Sequence, residues 1–411
     1  MREDIDPMPP AASLEPELAE LGSSDEFEGC PKRNDVLLGR YRVDEPRQGG
    51  FAVVLLVTDL ETERLFAVKL PNGCPGSAAM RKTSEVDFRA YQSEVEFWLH
   101  LDSHPNIVKA DSVRVIEGQP ALFMEYVGGG TYDNLREQLK PGALEKVQAI
   151  GFAHQICLGM EFANRKEEVA HLDLKPENVL ISSDNTLKVS DFGLAHRVCV
   201  VGGAYPTSNA ATWRYAAPEI FGGQADDSRS DTYSFGVILY EMVTGQLPYP
   251  FRLSGNLKQD SPRLKEFHQG LGMRKISQDL YWKGVPGIED RALGIILSGC
   301  LDAYQSSRLR FARVLEMLER AYPWLKRPQA AGPPLPDDLL QRAVALREIG
   351  RLDESMSEFN ALLVKYPKRG IVWLEAARTL EATGNYQESN EFEERALELD
   401  PSLRTKAEDK A

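Results

Sequence analysis

The chain has 411 residues, a formal net charge of −14 and a hydrophobic content of 42%. That length fits two or three domains and the composition is globular, so a sizeable core is available. The acidic balance argues against nucleic acid as a partner, because that role draws on clustered Lys and Arg to displace condensed counterions. Neutral or basic partners suit it better. Cys30, Cys74, Cys157, Cys199 and Cys300 show neither paired spacing nor CxxC, which fits reduced thiols rather than a metal site or a disulfide framework. Met1 is followed by Arg2, Glu3 and Asp4 without an apolar run, and no stretch reaches membrane-spanning length. Neither a signal peptide nor membrane contact is expected, and the expected location is the cytoplasm.

Residues 1–34 come first and read as a disordered acidic tail, with Asp4, Asp6, Glu15, Glu17, Glu20, Asp25, Glu26 and Glu28 meeting little base. From Tyr41 to Leu70 apolar and polar residues alternate. VVLLV at 53–57 and LFAVKL at 65–70, separated by the turn-like Leu60-Glu61-Thr62-Glu63, predict antiparallel strands. Residues 85–101 switch to helical spacing through Phe88, Tyr91, Val95, Trp98, Leu99 and Leu101, and His104-Pro105-Asn106 stops that helix. Strands are expected again at Ile107 to Ile116 and Ala121 to Val127, before Gly128-Gly129-Gly130 breaks the chain. Beyond it, residues 142–164, 228–244, 289–302 and 309–320 carry mostly helical patterns. Strands first and helices after predict an α+β domain of two lobes hinged near residue 128.

Residues 326–336 include RPQAAGPPLP, which suits a stiff linker. After it, Gly350, Leu352, Ser355, Phe359 and Pro367 recur as Gly384, Tyr386, Ser389, Glu393 and Pro401 at a constant spacing of 34 positions. Residues 337–403 thereby resemble two tetratricopeptide repeats, with Trp373, Gly384, Ala396 and Pro401 at that family's aromatic, turn and packing positions. Both copies carry Ser where the family usually packs Ala. Two repeats fall short of the roughly three that usually make a stable stack. Trp373, Leu374 and their neighbours are therefore expected to pack against the preceding domain, another copy or a partner protein. Residues 404–411 are a short tail.

The most specific signal is HLDLKPENVL, His171 to Leu180, followed about one hairpin later by Asp191-Phe192-Gly193. Together they supply Asp173, Lys175, Asn178 and Asp191. Phosphoryl transfer needs a carboxylate for the attacking hydroxyl's proton, a cation near the moving phosphate, and oxygen ligands for Mg²⁺. All four residues occur in that order. Residues 35–325 on this basis resemble a protein kinase domain, with an N-lobe at 35–127 and a C-lobe at 128–325. The fold implied is a two-lobed kinase followed by a small all-α segment of helical hairpins.

The resemblance implies ATP and Mg²⁺ as cofactors and Ser or Thr of a protein substrate as acceptor. Asp173 would be the catalytic base, Lys175 would neutralise charge on the phosphate in flight, and Asn178 and Asp191 would hold the metal. Lys69, ending FAVK, would bind the α and β phosphates with Glu94 as its partner, Glu96 being the alternative. GGFAVV at 49–54 resembles the glycine-rich loop but departs from GxGxxG, with Arg47 at the first glycine and Ala52 at the third. Gly49 and Gly50 remain. Met124 would border the back of the adenine pocket, and Glu125, Tyr126 and Val127 would form the hinge. Val54, Ala67 and Leu180 would sandwich the ring. Thr212 in AATWRYAAPE would bridge the base and the lysine through its hydroxyl. Glu219 and Arg308 would make a buried pair, and Asp231 would anchor the catalytic loop. Leu172 stands where phosphate-switched kinases usually carry Arg, and an apolar side chain cannot pair a phosphate. A pseudokinase scaffold with a damaged glycine loop is the alternative, and a small-molecule kinase a further one, though such enzymes lack the APE segment.

Overall fold

The computed structural model describes residues 31–48, 52–71, 103–116, 119–128, 133–167, 170–192, 212–220, 228–249, 257–269, 290–328 and 336–404, with residues 95, 98, 101, 130, 251, 253 and 288 between them. The alternating residues at the start build a sheet of β1 (Val36–Leu37), β2 (Tyr41–Gln48), β3 (Ala52–Asp59), β4 (Leu65–Pro71), β5 (Ala110–Ile116) and β6 (Gln119–Glu125). Its strand order is β1-β2-β3-β4-β6-β5, with every neighbouring pair antiparallel. Period-two alternation places Val43, Leu55, Val57 and Val68 on one face, where they join Tyr41, Phe66 and Phe123 in a single apolar cluster. The acidic tail up to residue 30, and most of the expected helix at 85–101, lie outside the described residues.

The sheet's second half differs from the pattern at its ends. β5 starts at Ala110, not at Ile107, because residues 106–108 are bound elsewhere. Ile107 bridges Val189, the Val189 N–H donates to the Asn106 carbonyl at 2.9 Å, and the Val108 N–H donates to the Val189 carbonyl at 2.9 Å. β6 spans Gln119–Glu125 rather than 121–127, so Tyr126 and Val127 are already connecting chain.

The lower, helical part contains α1 (Leu135–Leu139), α2 (Lys146–Glu167), α3 (Arg229–Thr244), α4 (Leu257–Gln269), α5 (Arg291–Cys300) and α6 (Phe311–Ala321). A short hairpin, β7 (Val179–Ile181) with β8 (Leu187–Val189), lies on α2. α3 is buried along nearly its whole length, which explains its apolar character on every side. Among the described residues, no helix is long and apolar enough to cross a membrane.

Four helices close the described chain: α7 (Pro336–Glu348), α8 (Leu352–Lys365), α9 (Gly370–Ala382) and α10 (Tyr386–Leu399). They form two hairpins, and the repeat seen in the sequence reappears atom by atom. Gly350 and Gly384 take φ of +82° and +83° in the two turns, a conformation that an L side chain resists. The Arg351 N–H donates to the Leu346 carbonyl at 2.8 Å, and the Asn385 N–H to the Leu380 carbonyl at 2.9 Å. These bonds satisfy helix-end carbonyls in the manner of a Schellman cap. The two serines do the same job in each hairpin: Ser355 Oγ donates to the Ala343 carbonyl at 2.7 Å and Ser389 Oγ to the Ala377 carbonyl at 2.8 Å. Each hydroxyl thus finds a buried partner, which is how serine is accommodated at a close helix crossing.

Trp373 and Leu374 pack within the helical segment rather than against the preceding domain. Trp373 stacks edge-on against Phe392 with ring centroids 4.9 Å apart and donates Nε1 to the Pro367 carbonyl, while Leu374 packs with Ala396 and Leu403. Contact with the preceding domain falls to α7, which with the following Ile349 buries Ala345 and Leu346 in that domain's core and lies along the edge strand β5. At the other end α10 turns Gln387, Glu388, Asn390, Glu391, Glu394 and Glu398 to solvent. A short stack is therefore closed at one end by the larger domain and at the other by a polar helix face.

Because nothing within 4 Å would clash with a Cβ at Gly350 or Gly384, backbone strain alone sets the cost of substitution there. Gly350→Ala and Gly384→Ala should each destabilise the helical segment by about 1 kcal/mol, and additively, as read by urea unfolding of the full chain with Trp373 as its single remaining tryptophan.

Candidate active site

The loop between α2 and β7 is held by one carboxylate. Asp231, fully buried in the first turn of α3, accepts from the His171 N–H through Oδ2 and from the Leu172 N–H through Oδ1, both at 2.7 Å. Leu172 sits at φ +62°, a left-handed conformation that costs a branched residue roughly 1–3 kcal/mol. Two hydrogen bonds to a buried charge offset that cost. Leu172 itself is buried in the lower core.

With the loop so fixed, Asp173, Lys175 and Asn178 converge. Lys175 Nζ lies 2.8 Å from Asp173 Oδ2, and Asn178 Nδ2 donates to the Asp173 carbonyl at 2.9 Å and to Oδ2 at 3.2 Å. Asp173 Oδ1 is buried and, among the described residues, has no hydrogen-bond partner. The amide group of Asn178 faces Asp173 through its nitrogen, which leaves its oxygen for another ligand.

Asp191 completes the cluster from the far side of the β7–β8 hairpin. It too adopts φ +62°, and Lys69 Nζ of β4 lies 2.9 Å from its Oδ1, tying the sheet to the lower lobe. Desolvation pushes the Asp191 carboxyl up, but Lys69, and after it His171 and Lys175, outweigh this and hold it at about 2. Next to it Phe192 packs between His171, at 4.5 Å between ring centroids, and Trp98, at 5.3 Å. His171 Nε2 also contacts the Ser190 carbonyl at 2.9 Å. This aromatic stack joins the loop, the Asp191 strand end and the residue 98 helix turn. Sequence reading gave His171 and Phe192 no role beyond their motifs.

On the sheet side, Ala67 faces Met124 across the β4–β6 pair, and Val54 faces Lys69 across β3–β4. Leu180 on β7 is half-buried and bridges Asn134. Val127 is buried in the lower core. Glu125 is engaged through its side chain, accepting from the Lys109 N–H at 2.7 Å and Lys188 Nζ at 2.8 Å. Arg47 points across the cleft, pairing Glu45 at 3.2 Å and Asp133 of the lower lobe at 3.3 Å. Gly49, Gly50, Glu94 and Glu96 lie outside the described residues. Thr212 opens the 3₁₀ turn Thr212–Arg214, its side chain again outside the described part.

Below the site, Arg308 forks onto Glu219, with Nη1 2.6 Å from Oε1 and Nη2 3.0 Å from Oε2. Arg136, Glu177, Tyr215 and Glu241 form a second, partly buried cluster: Arg136 contacts Glu241 at 2.8 Å and Glu177 at 3.2 Å, and the Tyr215 hydroxyl donates to Glu241 at 2.7 Å. Nothing in the local sequence announces this group, because Arg136 and Glu241 are 105 positions apart.

A family model described as a protein kinase domain matches residues 47–319. The chain belongs to the protein kinase family. Among curated relatives, the serine/threonine-protein kinase PknJ of Mycobacterium tuberculosis is 30% identical over 244 residues, covering 56% of this chain and 39% of that protein. A probable serine/threonine-protein kinase PknB of Lactococcus lactis is 32% identical over 216 residues, covering 52% and 33%. The CBL-interacting serine/threonine-protein kinase 7 of Arabidopsis thaliana is 30% identical over 217 residues, covering 52% and 48%. The chain thus spans less than half the length of each of these relatives.

Kinase domains use ATP with a divalent metal, and the residues present fit both. Asn178 and Asp191 offer hard oxygen donors, and two such side chains make only part of a coordination shell. So incomplete a shell suits a small hard cation completed by phosphate oxygens and water.

The Glu219–Arg308 pair yields a pH-dependent test. Burial raises the Glu219 carboxyl, but the Arg308 hydrogen bonds win and hold it below its ordinary 4.5. A depressed carboxylate contributes stability that is present above the ordinary value and lost as pH falls through the folded one. Glu219→Gln should cost about 3–5 kcal/mol near pH 7 by leaving Arg308 buried and unpaired. The gap from wild type in urea unfolding should narrow as the pH drops below about 4.

Proposed function

We propose that this protein is an ATP- and Mg²⁺-dependent protein kinase that phosphorylates Ser or Thr of a protein substrate. The observation that carries the reading is the state of Asp173: Oδ2 is held by Lys175 and Asn178, while Oδ1 is buried and has no donor among the described residues. A substrate hydroxyl is the donor that fits there, and Asp173 would orient it and take its proton as the oxygen attacks. When bound, ATP with Mg²⁺ supplies the γ-phosphoryl group. Lys175, next to Asp173, is positioned to offset charge on that group, with Thr212 as the hydroxyl bridge. Lys69, with Glu94 as partner, would hold the α and β phosphates, and Asn178 and Asp191 the metal. Gly49 and Gly50 would approach the phosphates through backbone N–H groups. Val54, Ala67, Met124 and Leu180 would enclose adenine, with the backbone of Glu125 and Val127 along its edge.

Leu172 adds a point about control. The loop before Asp173 is ordered by Asp231, not by an arginine that a phosphate could pair. The kinase is accordingly poised without phosphate on its activation segment, or is switched elsewhere. The two C-terminal hairpins are read as tetratricopeptide repeats that recruit a protein partner or substrate, raising its effective concentration near Asp173. Their repeated turns, caps and serine bonds support this. Buried free thiols at Cys157 and Cys300 suit the cytoplasm.

Incubation with labelled ATP, Mg²⁺ and a generic acceptor protein should show phosphate transfer by wild type and a loss of at least about 10³-fold with Asp173→Ala. Equal incorporation by the two proteins would sink the reading and leave a pseudokinase scaffold. Alanine at Thr207 and Ser208 together should leave activity within about twofold of wild type. Loss on alanine and recovery on acidic replacement would show that this loop is phosphate-switched after all.

A further inference from the structure

The hinge between the lobes is gripped from behind by the C-terminal helical segment. Lys109 and Glu125 bind each other twice through their backbones and side chains: the Glu125 N–H donates to the Lys109 carbonyl at 2.9 Å, and the Lys109 N–H donates to Glu125 Oε1 at 2.7 Å. Lys188 Nζ reaches the same oxygen at 2.8 Å from β8, so Glu125 is clamped between the chain before β5 and the hairpin that leads to Asp191. The ammonium group of Lys109 points the other way, to Asp338 Oδ1 in the first turn of α7, at 2.7 Å. Next to Asp338, Asp337 pairs with Arg369 of the second hairpin at 2.6 Å. Ala345, Leu346 and Ile349 seat the rest of α7 in the kinase core.

We propose that α7 is a built-in buttress of the nucleotide cleft, with Asp338 and Lys109 as positioning residues that set the hinge through Glu125. The proposal rests on the kinase reading above, since it is the hinge backbone that would meet adenine. Its physical basis is a continuous chain of polar contacts: the Asp338–Lys109 ion pair, the backbone of residue 109 bonded to Glu125, and the Glu125–Lys188 ion pair. Glu125 is the last residue of β6, and Tyr126 and Val127 follow it directly into the hinge. A displacement of residue 109 therefore moves the segment that would contact the base. Coupling of this kind is reciprocal: nucleotide binding should tighten the seat of α7 as much as α7 tightens nucleotide binding. A partner engaged by the helical segment could then alter nucleotide affinity without touching the cleft.

The test uses the full-length chain in four forms: wild type, Asp338→Lys, Lys109→Asp, and the charge-swapped double variant Lys109→Asp/Asp338→Lys. MgATP affinity is measured by calorimetry, KM and kcat by phosphate transfer, and hinge mobility by hydrogen–deuterium exchange over residues 124–128. Each single variant should raise the Kd and KM for MgATP about threefold to tenfold, with kcat changed less than about twofold, and should speed exchange at the Glu125 amide. The double variant should recover most of both, an outcome that loss of fold or a purely local structural role would not produce. Unchanged Kd and unchanged hinge exchange in Asp338→Lys, or no recovery in the double variant, would overturn the buttress. A wild type that binds no MgATP would overturn the kinase reading instead, while hinge exchange would still decide whether α7 sets the hinge.

Discussion

The carboxylate of Asp231 is the fixed point of this structure. It sits in the first turn of a helix buried on all sides, and its two oxygens take the N–H groups of His171 and Leu172. Leu172 can hold its left-handed backbone only because that charge is spent on it. From this bend follow the directions of the next side chains: Asp173 into the cleft, Lys175 back onto Asp173, Asn178 underneath both. His171, held by the same bonds, carries Phe192 and through it Trp98. One buried acid thus orders both the polar cluster and the aromatic stack that reaches toward the sheet.

The polar cluster is under tension in a defined sense. Lys69 and Asp191 satisfy each other across the lobes, and Lys175 and Asn178 satisfy one oxygen of Asp173, while its other oxygen is buried without a donor among the described residues. Buried acceptors are seldom left so, and a group that supplies the missing proton donor gains the free energy the folded chain forgoes. Pre-organisation of this kind places the cost in folding rather than in the reaction. Supporting ion pairs around it, Glu219 with Arg308 and Arg136 with Glu177 and Glu241, keep the floor of the site from relaxing around the gap.

The C-terminal helices answer a different physical problem. Two hairpins have too little shared surface to stand alone, and the edge strand β5 of the sheet leaves backbone groups uncovered. Laying α7 along β5 addresses both at once, burying Leu346 and Ile349 and shielding the edge. The same economy brings Asp338 to Lys109, and so connects the C-terminal helices to the chain behind Glu125.

Much of this was legible in the residues alone. HLDLKPENVL with the later Asp191-Phe192-Gly193 is a local string, so the quartet of Asp173, Lys175, Asn178 and Asp191 could be read directly, as could the alternation that makes β3 and β4. The period of 34 positions was equally local, since the turn at Gly350 and the turn at Gly384 each need a residue free to take positive φ. What escaped depends on pairs distant in sequence. β5 begins late because Asn106 and Ile107 bond to Val189 across the lobes, and Trp373 turns inward because Phe392 waits on the next helix. Lys109 with Asp338, Arg47 with Asp133, and Arg136 with Glu241 join residues with no pattern to link them, because a charge has no periodicity and its partner is chosen by packing. Residue order was enough to place the kinase motif and most of the elements, whereas which charges meet was settled by packing, because a partner is chosen only when separate helices and strands are brought within a few ångströms of one another.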